Sequence, residues 1–452
     1  MAISRRDALK ITSVVAASTV ISGCSKEASA VDVPKLKKIQ SKVHSKAPLK
    51  EVDSKRVVIV GGGWSGLSVA KNLKNFAPSC DVVLVEPRFQ FVSCPMSNLW
   101  LVDKVSTDYI THDYLQAARE NNYTFFNATA IDMDKEKKVL YTSNGEIDYD
   151  YIVFAPGIDY DYSFITDDIE LENRLRQEYP AGFKSGEHIT LKNKIQNFKG
   201  GNFVMTVPGG NYRCMPAPYE RACLVADYFK SKKLDAKVIL LDENNDITIK
   251  EHGFHTAFDE LYSDHLEYHP NSKIESIDLD EKYIETEFGE FIFDDASFYP
   301  HVRGAKILEK VGIAKDTVFN RLEGDIDGIT YEVIGHEDIY ISGDARPMGF
   351  SKSGNTSSTE GVYVASLIAD KINGKTKKRL WQSPTTLCFS AVSMKPERAI
   401  FVHSMYAYNE KTKRFGFATP KMSEVWKGEE GVLNAKSQHA WADGMYKNMF
   451  ES

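Results

Sequence analysis

The sequence predicts an α/β protein with two Rossmann-like dinucleotide-binding domains and a small C-terminal α+β domain. Residues 56–66 (RVVIVGGGWSG) join an apolar, buried-strand pattern to a glycine turn, and a second apolar strand ends at Glu86. Another strand-helix-strand pattern spans residues 201–242, and an apolar strand returns at residues 339–344. Because strands that alternate with helices form parallel sheets, we expect two such sheets.

The glycine turn predicts a cofactor site. Gly61, Gly63 and Gly66 have the G-x-G-x-x-G spacing, in which missing side chains let a pyrophosphate approach the backbone and a helix N-terminus. Glu86 lies 20 residues after Gly66, where a carboxylate can bind a ribose hydroxyl. With a thiol, Cys94, close behind, the region indicates a flavin site.

The elements between these motifs give a domain map. We expect a helix at 113–120, strands at 130–133, 138–141 and 151–154, a helix at 218–230 and a strand at 237–242. The predicted divisions are an export signal (1–30), a linker (31–54), an FAD domain (55–167 and 309–379), a second Rossmann-like domain (168–308) and a C-terminal interface domain (380–452).

The N-terminus is predicted to be a twin-arginine export signal. Residues 4–10 (SRRDALK) precede an apolar run, residues 11–22, that is too short to span a membrane. Residues 21–24 (ISGC) match a lipobox, which would make Cys24 the lipidated first residue; cleavage after residues 28–30 (ASA) is the alternative. We expect a periplasmic protein whose linker is a solvated, lysine-rich tether.

Composition excludes two classes of partner. The net charge of −7 and the lack of a sustained basic stripe argue against nucleic acid. No run after residue 30 is long and apolar enough for a bilayer. Any membrane contact is therefore expected through a lipid on Cys24.

Two further turns follow predicted strands. Gly157 closes the strand at 151–154, where the chain is expected to leave the first domain. Gly343 and Asp344 end the returning strand. Asp344 could bind the ribityl hydroxyls of FAD or could instead cap the next helix.

The second domain departs from a nicotinamide site. Its turn, residues 208–213 (PGGNYR), lacks a third glycine where the helix must pack close to the strand, and Cys214 follows. We therefore expect no NAD(P)H there.

These motifs together resemble the flavoprotein subunit of flavocytochrome c sulfide dehydrogenase. The segments that carry the resemblance are 91–98 (FVSCPMSN), 213–222 (RCMPAPYERA), 352–354 (KSG) and 386–390 (TLCFS). The resemblance runs from about residue 56 to the C-terminus. It implies a periplasmic enzyme that oxidises sulfide, or another small sulfur substrate, on FAD and passes electrons to a c-type cytochrome subunit.

The resemblance also implies roles for single residues. Cys94 matches a cysteine bonded covalently to the flavin, although a free cysteine is often only a small buried hydrophobe. Cys214 matches one half of a redox disulfide. Glu220 matches a proton-transferring glutamate, or it is a first-turn carboxylate favoured by the helix dipole. Lys352 lies in a matched segment that is expected to contribute to the cofactor site.

At one point the sequence departs from the expected pattern. The second redox cysteine is expected after the Gly-Asp-Ala turn, where this chain has Arg346. Two alternatives follow: Cys388 lies close enough to pair with Cys214, or Arg346 sits near the flavin and binds a sulfur oxyanion. A surface salt bridge is the plain interpretation of Arg346. Cys80 and Cys223 are expected to be structural.

The remaining sequence features predict that the chain has no metal site and no haem of its own. The histidines show no metal-ligand spacing, so we expect no metal site. The sequence has no C-x-x-C-H motif. Any haem is therefore expected on a partner subunit. Without a redox disulfide, the rival functions are an oxidoreductase for another sulfur species or carrier-bound thiol, and a non-catalytic flavin-bearing partner of a sulfur-oxidation complex.

Overall fold

The computed structural model describes residues 45–184, 186–375, 379–418 and 420–451. The predicted export signal, with Cys24, lies outside the described residues. Within those residues, no helix has the length and apolar character needed to cross a membrane.

The elements are numbered in chain order. Strands β1 to β26 are Arg56–Val60, Asp81–Val85, Gln90–Val92, Thr111–Asp113, Thr124–Phe126, Ala130–Asp134, Val139–Thr142, Gly145–Asp148, Tyr151–Phe154, Ile158–Asp161, Gly201–Val207, Ala236–Asp242, Leu266–His269, Ile274–Asp278, Tyr283–Thr286, Gly289–Ile292, Asp295–Ser297, His301–Gly304, Ala314–Lys315, Glu323–Gly324, Glu332–Val333, His336–Ile341, Thr385–Met394, Glu397–Asn409, Arg414–Phe417 and Lys421–Ser423. Helices α1 to α11 are Trp64–Phe76, Ser97–Leu101, Thr107–Ile110, Tyr114–Glu120, Ile169–Glu178, Glu187–Asn197, Ala217–Ser231, Glu251–Tyr262, Lys306–Lys310, Gly354–Ile372 and Gly428–Phe450.

The first sheet has the strand order β21-β22-β9-β1-β2-β5 and is parallel except for β21. Its central strand β1 is apolar and buried from Val57 to Val60 because both faces are covered. Val57 and Ile59 belong to one apolar cluster, and Val58 and Val60 belong to the other. Strand β22 joins this sheet after the chain has passed through the second sheet. The carboxyl ends of β1, β2, β9 and β22 therefore meet at one edge.

The second sheet has the order β13-β12-β11-β17 and is parallel throughout the described residues. The antiparallel pair β10 and β18 forms a separate ladder at the passage between the two sheets. Two parallel sheets with crossover helices confirm the predicted fold class. The predicted domain boundaries themselves stay predictions.

The C-terminal part forms an antiparallel sheet in which β24 pairs with β23, β25 and β26. Helix α11 packs against β24, while β23 lies against α7 of the second sheet's helical layer. This packing brings the middle of β23 to the first turn of α7.

Part of the predicted tether is attached to the fold. The N–H of Ala47 donates to the carbonyl oxygen of Glu146 (2.9 Å), and the N–H of Glu146 donates to Ser45 (2.9 Å). Ala47 and Leu49 pack against an apolar cluster. Residues 45–49 are therefore not a solvated linker, because they extend the edge of the small sheet β6-β7-β8.

Candidate active site

A large cavity lies at the carboxyl ends of β1, β2 and β9. Its volume is about 620 Å³, which is within the range of cofactor pockets. The predicted cofactor residues in its wall are Gly61, Gly63, Glu86, Cys94, Gly157, Gly343 and Asp344. The first sheet thus gathers at one edge residues that are far apart in the sequence.

The glycine turn is shaped for close backbone approach. A Cβ on Gly66 would lie 1.9 Å from the carbonyl oxygen of Gly61, so α1 reaches the turn only with glycine there. A Cβ on Gly63 or Gly157 would meet nothing within 4 Å. Gly63 precedes α1 without a side-chain cap, which leaves the first helical N–H groups free to bind an anion.

Glu86 is buried in the cavity wall and holds the turn. Its Oε2 accepts a hydrogen bond from the N–H of Gly62 (2.8 Å), and its Oε1 accepts from Nε of Arg88 (2.6 Å). The contact with Arg88 is bidentate, because Nη2 also donates to Oε2 (3.0 Å). The carboxylate is therefore fixed at the end of β2.

Asp344 is held as a cavity residue and not as a helix cap. Its Oδ1 accepts from the Oγ of Ser357 (3.0 Å), and its Oδ2 lies 3.3 Å from Nε of Arg213. The cap of α10 is Ser353, whose side chain accepts from the N–H of Thr356. These contacts with Ser357 and Arg213 hold the Asp344 carboxylate in the cavity wall.

Cys94 lies between the large cavity and a second cavity of about 40 Å³, since it lines both. The second cavity also contains Cys214, Glu220 and Cys388. A cavity of that volume has room for a molecule the size of water or hydrosulfide. The predicted chemistry-bearing residues therefore converge beside the cofactor cavity.

Three cysteines meet in the second cavity. Cys94, Cys214 and Cys388 all line it, and the thiol of Cys214 lies close enough to interact with the other two. Cys214 has a left-handed backbone (φ 58°), and its N–H donates to the carbonyl oxygen of Lys352 (2.7 Å). The structure therefore places Cys388 in the same cavity as Cys214, while the pairing of the two cysteines stays a prediction.

The cluster distributes its protons unequally. The hydrogen bond from Cys214 lowers the pKa of Cys94 to about 6, and the guanidinium of Arg213 acts in the same direction. The same donor lowers the pKa of Cys388, with help from the ammonium of Lys250. The hydrogen bonds that Cys214 donates raise its own pKa well above the usual thiol value. Cys214 therefore holds its proton most tightly of the three, and the thiolate form is favoured on the outer two sulfurs.

Glu220 is buried in the first turn of α7. Its Oε1 accepts from the N–H of Ala391 (2.8 Å), and its Oε2 accepts from Nδ2 of Asn98 (2.8 Å). Burial raises the pKa of Glu220. A carboxyl with a raised pKa beside thiols is suited to accept and release a proton during their chemistry.

Arg346 lies away from both cavities. Its side chain has no exposed surface, and its Nε is 2.7 Å from Oε1 of Glu360 in a buried ion pair. Its Nη2 donates to the carbonyl oxygen of Ser351 (2.9 Å). The structure thus supports neither the anion-binding position nor the surface salt bridge, because the side chain turns inward to an acid on α10.

Lys352 lines the second cavity, which contains the cysteines, and does not line the large cofactor cavity. Its buried Nζ donates to Oε1 of Glu323 (2.6 Å) and to the carbonyl oxygen of Asp344 (2.6 Å). The ammonium therefore secures the Gly-Asp turn from behind, and its expected contact with the cofactor stays a prediction.

Sequence reasoning missed two basic residues of the site. Arg213 lines both the large cofactor cavity and the second cavity, which contains the cysteines. Its place next to Cys214 in the sequence could have indicated that it belongs to the site. Lys250 lies beside Cys388. A single lysine ahead of a helix carries no motif, so no sequence signal marked it.

The corresponding crevice of the second sheet is filled by protein. Phe164 stacks on His301 with ring centroids 3.8 Å apart, and His301 Nε2 lies 2.5 Å from Oε2 of Glu243. The space that remains there is about 30 Å³. This is far below the volume of a small-molecule pocket, which favours the prediction that no NAD(P)H binds.

Asp246, Glu251 and His255 are the described residues that come closest to a metal-binding group. Their ligand atoms lie within 4.8 Å of one another at the surface, and Asp246 pairs with His255 at 2.7 Å. An ordinary surface ion pair explains this arrangement, and the expected absence of a metal stays a prediction.

Comparison with known proteins follows this geometry. Residues 189–296 match the family "Sulfide dehydrogenase [flavocytochrome c] flavoprotein chain, central", residues 55–210 match "Pyridine nucleotide-disulphide oxidoreductase", and residues 382–450 match "Flavocytochrome c sulphide dehydrogenase, flavin-binding". The sulfide dehydrogenase flavoprotein chain of Chlorobaculum thiosulfatiphilum is 58% identical over 45 residues, which are 10% of this chain and 94% of that sequence. The chain belongs to the flavocytochrome c sulfide dehydrogenase flavoprotein family.

More distant relatives agree with this assignment. The mitochondrial sulfide:quinone oxidoreductase of Dictyostelium discoideum is 27% identical over 43% of each chain, so the match spans less than half of that relative. The solved sulfide:quinone oxidoreductase of Aquifex aeolicus has a TM-score of 0.67 at 15% identity and covers 88% of this chain and 92% of its own. At that identity the likeness concerns the fold alone. The sulfide dehydrogenase flavoprotein is thus an FAD-dependent oxidoreductase of sulfur compounds.

The residues of the large cavity fit FAD. The open space beside Gly63 and Gly157 admits a cofactor backbone, and the uncapped start of α1 suits its pyrophosphate. Glu86 and Asp344 provide carboxylates for sugar hydroxyls at the ends of β2 and β22. Gly63, Glu86 and Gly157 lie in the segment that matches the pyridine nucleotide-disulphide oxidoreductase family.

Proposed function

We propose that this flavoprotein oxidises sulfide at a Cys214–Cys388 redox pair and passes the electrons to a c-type cytochrome subunit in the periplasm. The observation that carries the proposal is that Cys214, Cys388 and Cys94 line one small cavity beside the cofactor cavity, where Cys214 interacts with both other thiols. A thiol pair in contact can form a disulfide. The family membership supports sulfide as the substrate.

The protein's own residues perform the sulfur chemistry. Hydrosulfide enters the small cavity and attacks the Cys214–Cys388 disulfide, which yields one cysteine persulfide and one thiolate. Glu220 lies in the same cavity with a raised pKa, so it can take up the proton released there. Attack of a second hydrosulfide on the persulfide would carry its outer sulfur away as HSS⁻ and leave both cysteines reduced. Bound FAD would supply the two-electron acceptor that allows this reduced pair to return to the disulfide.

Cys94 is proposed as the covalent anchor of FAD. Its sulfur lies between the two cavities, and the hydrogen bond from Cys214 favours the thiolate, which is the nucleophilic form. A sulfur there would join the cofactor cavity to the redox pair. In the anchored protein, Cys214 and Cys388 remain as the reactive cysteines.

The cytochrome, the periplasm and the lipid anchor are supported by separate observations. The names of the matching families and of the Chlorobaculum relative include flavocytochrome c, which supports a haem-bearing partner subunit. Arg5 and Arg6, followed by an apolar run and Cys24, support twin-arginine export and lipidation. Fractionation of cells that express an Arg5→Lys/Arg6→Lys variant tests export, and Cys24→Ser tests the anchor.

The rival functions lose their main support. They depended on Arg346 replacing the second redox cysteine, whereas the position of Cys388 in the cavity of Cys214 supports a different second cysteine, and Arg346 pairs with Glu360. No contact of Arg346 favours another sulfur species or a carrier-bound thiol.

The deciding experiment is anaerobic addition of sulfide to the holoprotein, followed by a c-type cytochrome. We expect rapid bleaching of the flavin absorbance and then reduction of the cytochrome. Cys214→Ser and Cys388→Ser should each abolish bleaching, while Cys80→Ser, a buried cysteine outside both cavities, should behave as wild type. Bleaching by thiosulfate or sulfite and not by sulfide would contradict the proposal.

A further inference from the structure

Lys250 is a buried ammonium group beside the redox pair. It is 1% exposed, and its Nζ donates to the Oγ of Ser390 (2.6 Å) and to the carbonyl oxygen of Cys388 (3.3 Å). It immediately precedes α8 in a left-handed backbone conformation. Among the described residues, no carboxylate lies within 4.0 Å of its Nζ, since Lys250 is absent from every ion pair there.

A buried cation without a counter-charge is unfavourable by several kcal/mol. The other fully buried lysine of this region, Lys352, is neutralised by Glu323 at 2.6 Å. Lys250 has no such partner. Burial lowers the pKa of Lys250, so its ammonium form depends on a nearby anion, and the acidic groups around it are the candidates.

Those groups come from four places in the fold. They are Cys388 on β23, Glu220 on α7, Cys214 in the loop before α7, and Glu424 ahead of α11. Both carboxylates have other partners: Glu220 accepts from Ala391 and Asn98, and Glu424 accepts from the N–H of Gly253 (2.8 Å). Cys388 is the candidate with a direct contact, because Lys250 already donates a hydrogen bond to its carbonyl oxygen.

We infer that Lys250 is a positioning residue that holds the negative charge of the opened disulfide on Cys388, so that hydrosulfide attacks Cys214. The inference rests on the proposed function and names the direction of its first step. The titration directions agree with it, because Lys250 and the hydrogen bond from Cys214 lower the pKa of Cys388 while the pKa of Cys214 is raised.

The step balances as a thiol–disulfide exchange. Hydrosulfide forms a new S–S bond to Sγ of Cys214, the bond between Cys214 and Cys388 breaks, and its electron pair becomes the Cys388 thiolate. The products are a Cys214 persulfide and a thiolate next to the ammonium. Because a thiol of lower pKa leaves faster, the cation on one side of the pair selects the leaving sulfur.

Alkylation of the reduced holoprotein tests the charge on Cys388 without turnover. Iodoacetamide labelling is followed over a pH series, and the peptides that carry Cys388 and Cys214 are quantified by mass spectrometry. In the wild type, Cys388 should react at lower pH than Cys214. Lys250→Met and Lys250→Gln should slow Cys388 labelling at neutral pH at least tenfold, while Lys250→Arg should retain most of the wild-type rate.

The controls separate charge from packing. Ser390→Ala removes a hydrogen bond of Lys250 but keeps its charge, so Cys388 should titrate almost as in the wild type. Lys250→Gln keeps a polar side chain, so this variant still tests the inference if Lys250→Met fails to fold. Retention of FAD shows that a variant has folded. An unchanged Cys388 profile in folded Lys250→Gln would overturn the inference.

The attacked sulfur is identified separately. One equivalent of sulfide is added anaerobically to the oxidised holoprotein, the product is trapped with iodoacetamide, and the persulfide is located by peptide mapping. We expect it on Cys214. A persulfide on Cys388 would overturn the inference and still support the proposed function. If neither a persulfide nor flavin bleaching is found, the proposed function fails. The alkylation result then still decides whether Lys250 stabilises the Cys388 thiolate.

Discussion

The thiols of Cys214 and Cys388 lie together in one small cavity, although Cys214 precedes α7 of the second Rossmann-like unit and Cys388 lies on β23 of the C-terminal sheet. The packing of β23 against α7 makes this contact. Cys214 and Cys388 therefore meet only when the C-terminal sheet packs against the second Rossmann-like unit. The sheet is therefore part of the active site as well as a candidate interface.

We predict that the oxidised protein contains a Cys214–Cys388 disulfide. Two hydrogen-bonded thiols need little movement to reach bonding geometry. Peptide mapping of the unreduced holoprotein should give one crosslinked peptide pair that disappears on reduction. The buried thiols of Cys80 and Cys223 serve as internal controls and should remain unlinked; full alkylation of Cys214 without reductant would contradict the prediction.

Local patterns predicted the first sheet and its cofactor residues well. Strand β1 and the turn from Gly61 to Gly66 are encoded within a few residues, and Glu86 follows at a fixed spacing. The position of Cys388 depended on how a distant hairpin packs, which no local pattern encodes. Alignment of motifs alone placed the second redox cysteine at Arg346, and the structure instead turns that side chain toward Glu360.

We predict that Cys94 holds FAD covalently. Acid precipitation of the wild type should leave the yellow colour in the pellet, whereas Cys94→Ala should release flavin into the supernatant or lose it during purification. The reason is the position of Cys94 at the junction of the two cavities. Cys80→Ala, a buried substitution far from the motif, should keep the pellet coloured, and free flavin from the wild type would refute the attachment.

The glycine turn should tolerate no side chain at its third position. Gly66→Ala places a Cβ 1.9 Å from the Gly61 carbonyl oxygen, so α1 must shift and FAD retention should fall. Overpacking of this kind costs about 1–3 kcal/mol of unfolding free energy. Gly444→Ala is the matched control, since its Cβ meets nothing within 4 Å in the exposed face of α11; it should stabilise by about 0.5–1 kcal/mol. Urea unfolding and the flavin-to-protein ratio measure both variants, and normal FAD content in Gly66→Ala would contradict the packing argument.

The last prediction concerns the buried pair of Arg346 and Glu360. Arg346→Met leaves the Glu360 carboxylate buried without its counter-charge, which costs about 3–5 kcal/mol at neutral pH. Burial already raises the pKa of Glu360 and Arg346 opposes that rise, so the substitution raises this pKa further. A carboxyl with a higher pKa in the folded than in the unfolded state binds more protons when folded, so stability falls as the pH rises above the unfolded value.

Urea unfolding of Arg346→Met should therefore show a loss of stability from about pH 5 to about pH 8 that is steeper than the loss in the wild type. Arg346→Met/Glu360→Gln should recover most of the stability and remove the pH dependence, because no buried charge remains and the amide oxygen still accepts from the N–H of Gly343. Arg174→Met, which breaks an exposed pair with Glu178, should change little. Equal stability of the single and double variants at pH 8 would mean that Arg346 acts by packing alone, since a charge effect must vanish when both charges are removed.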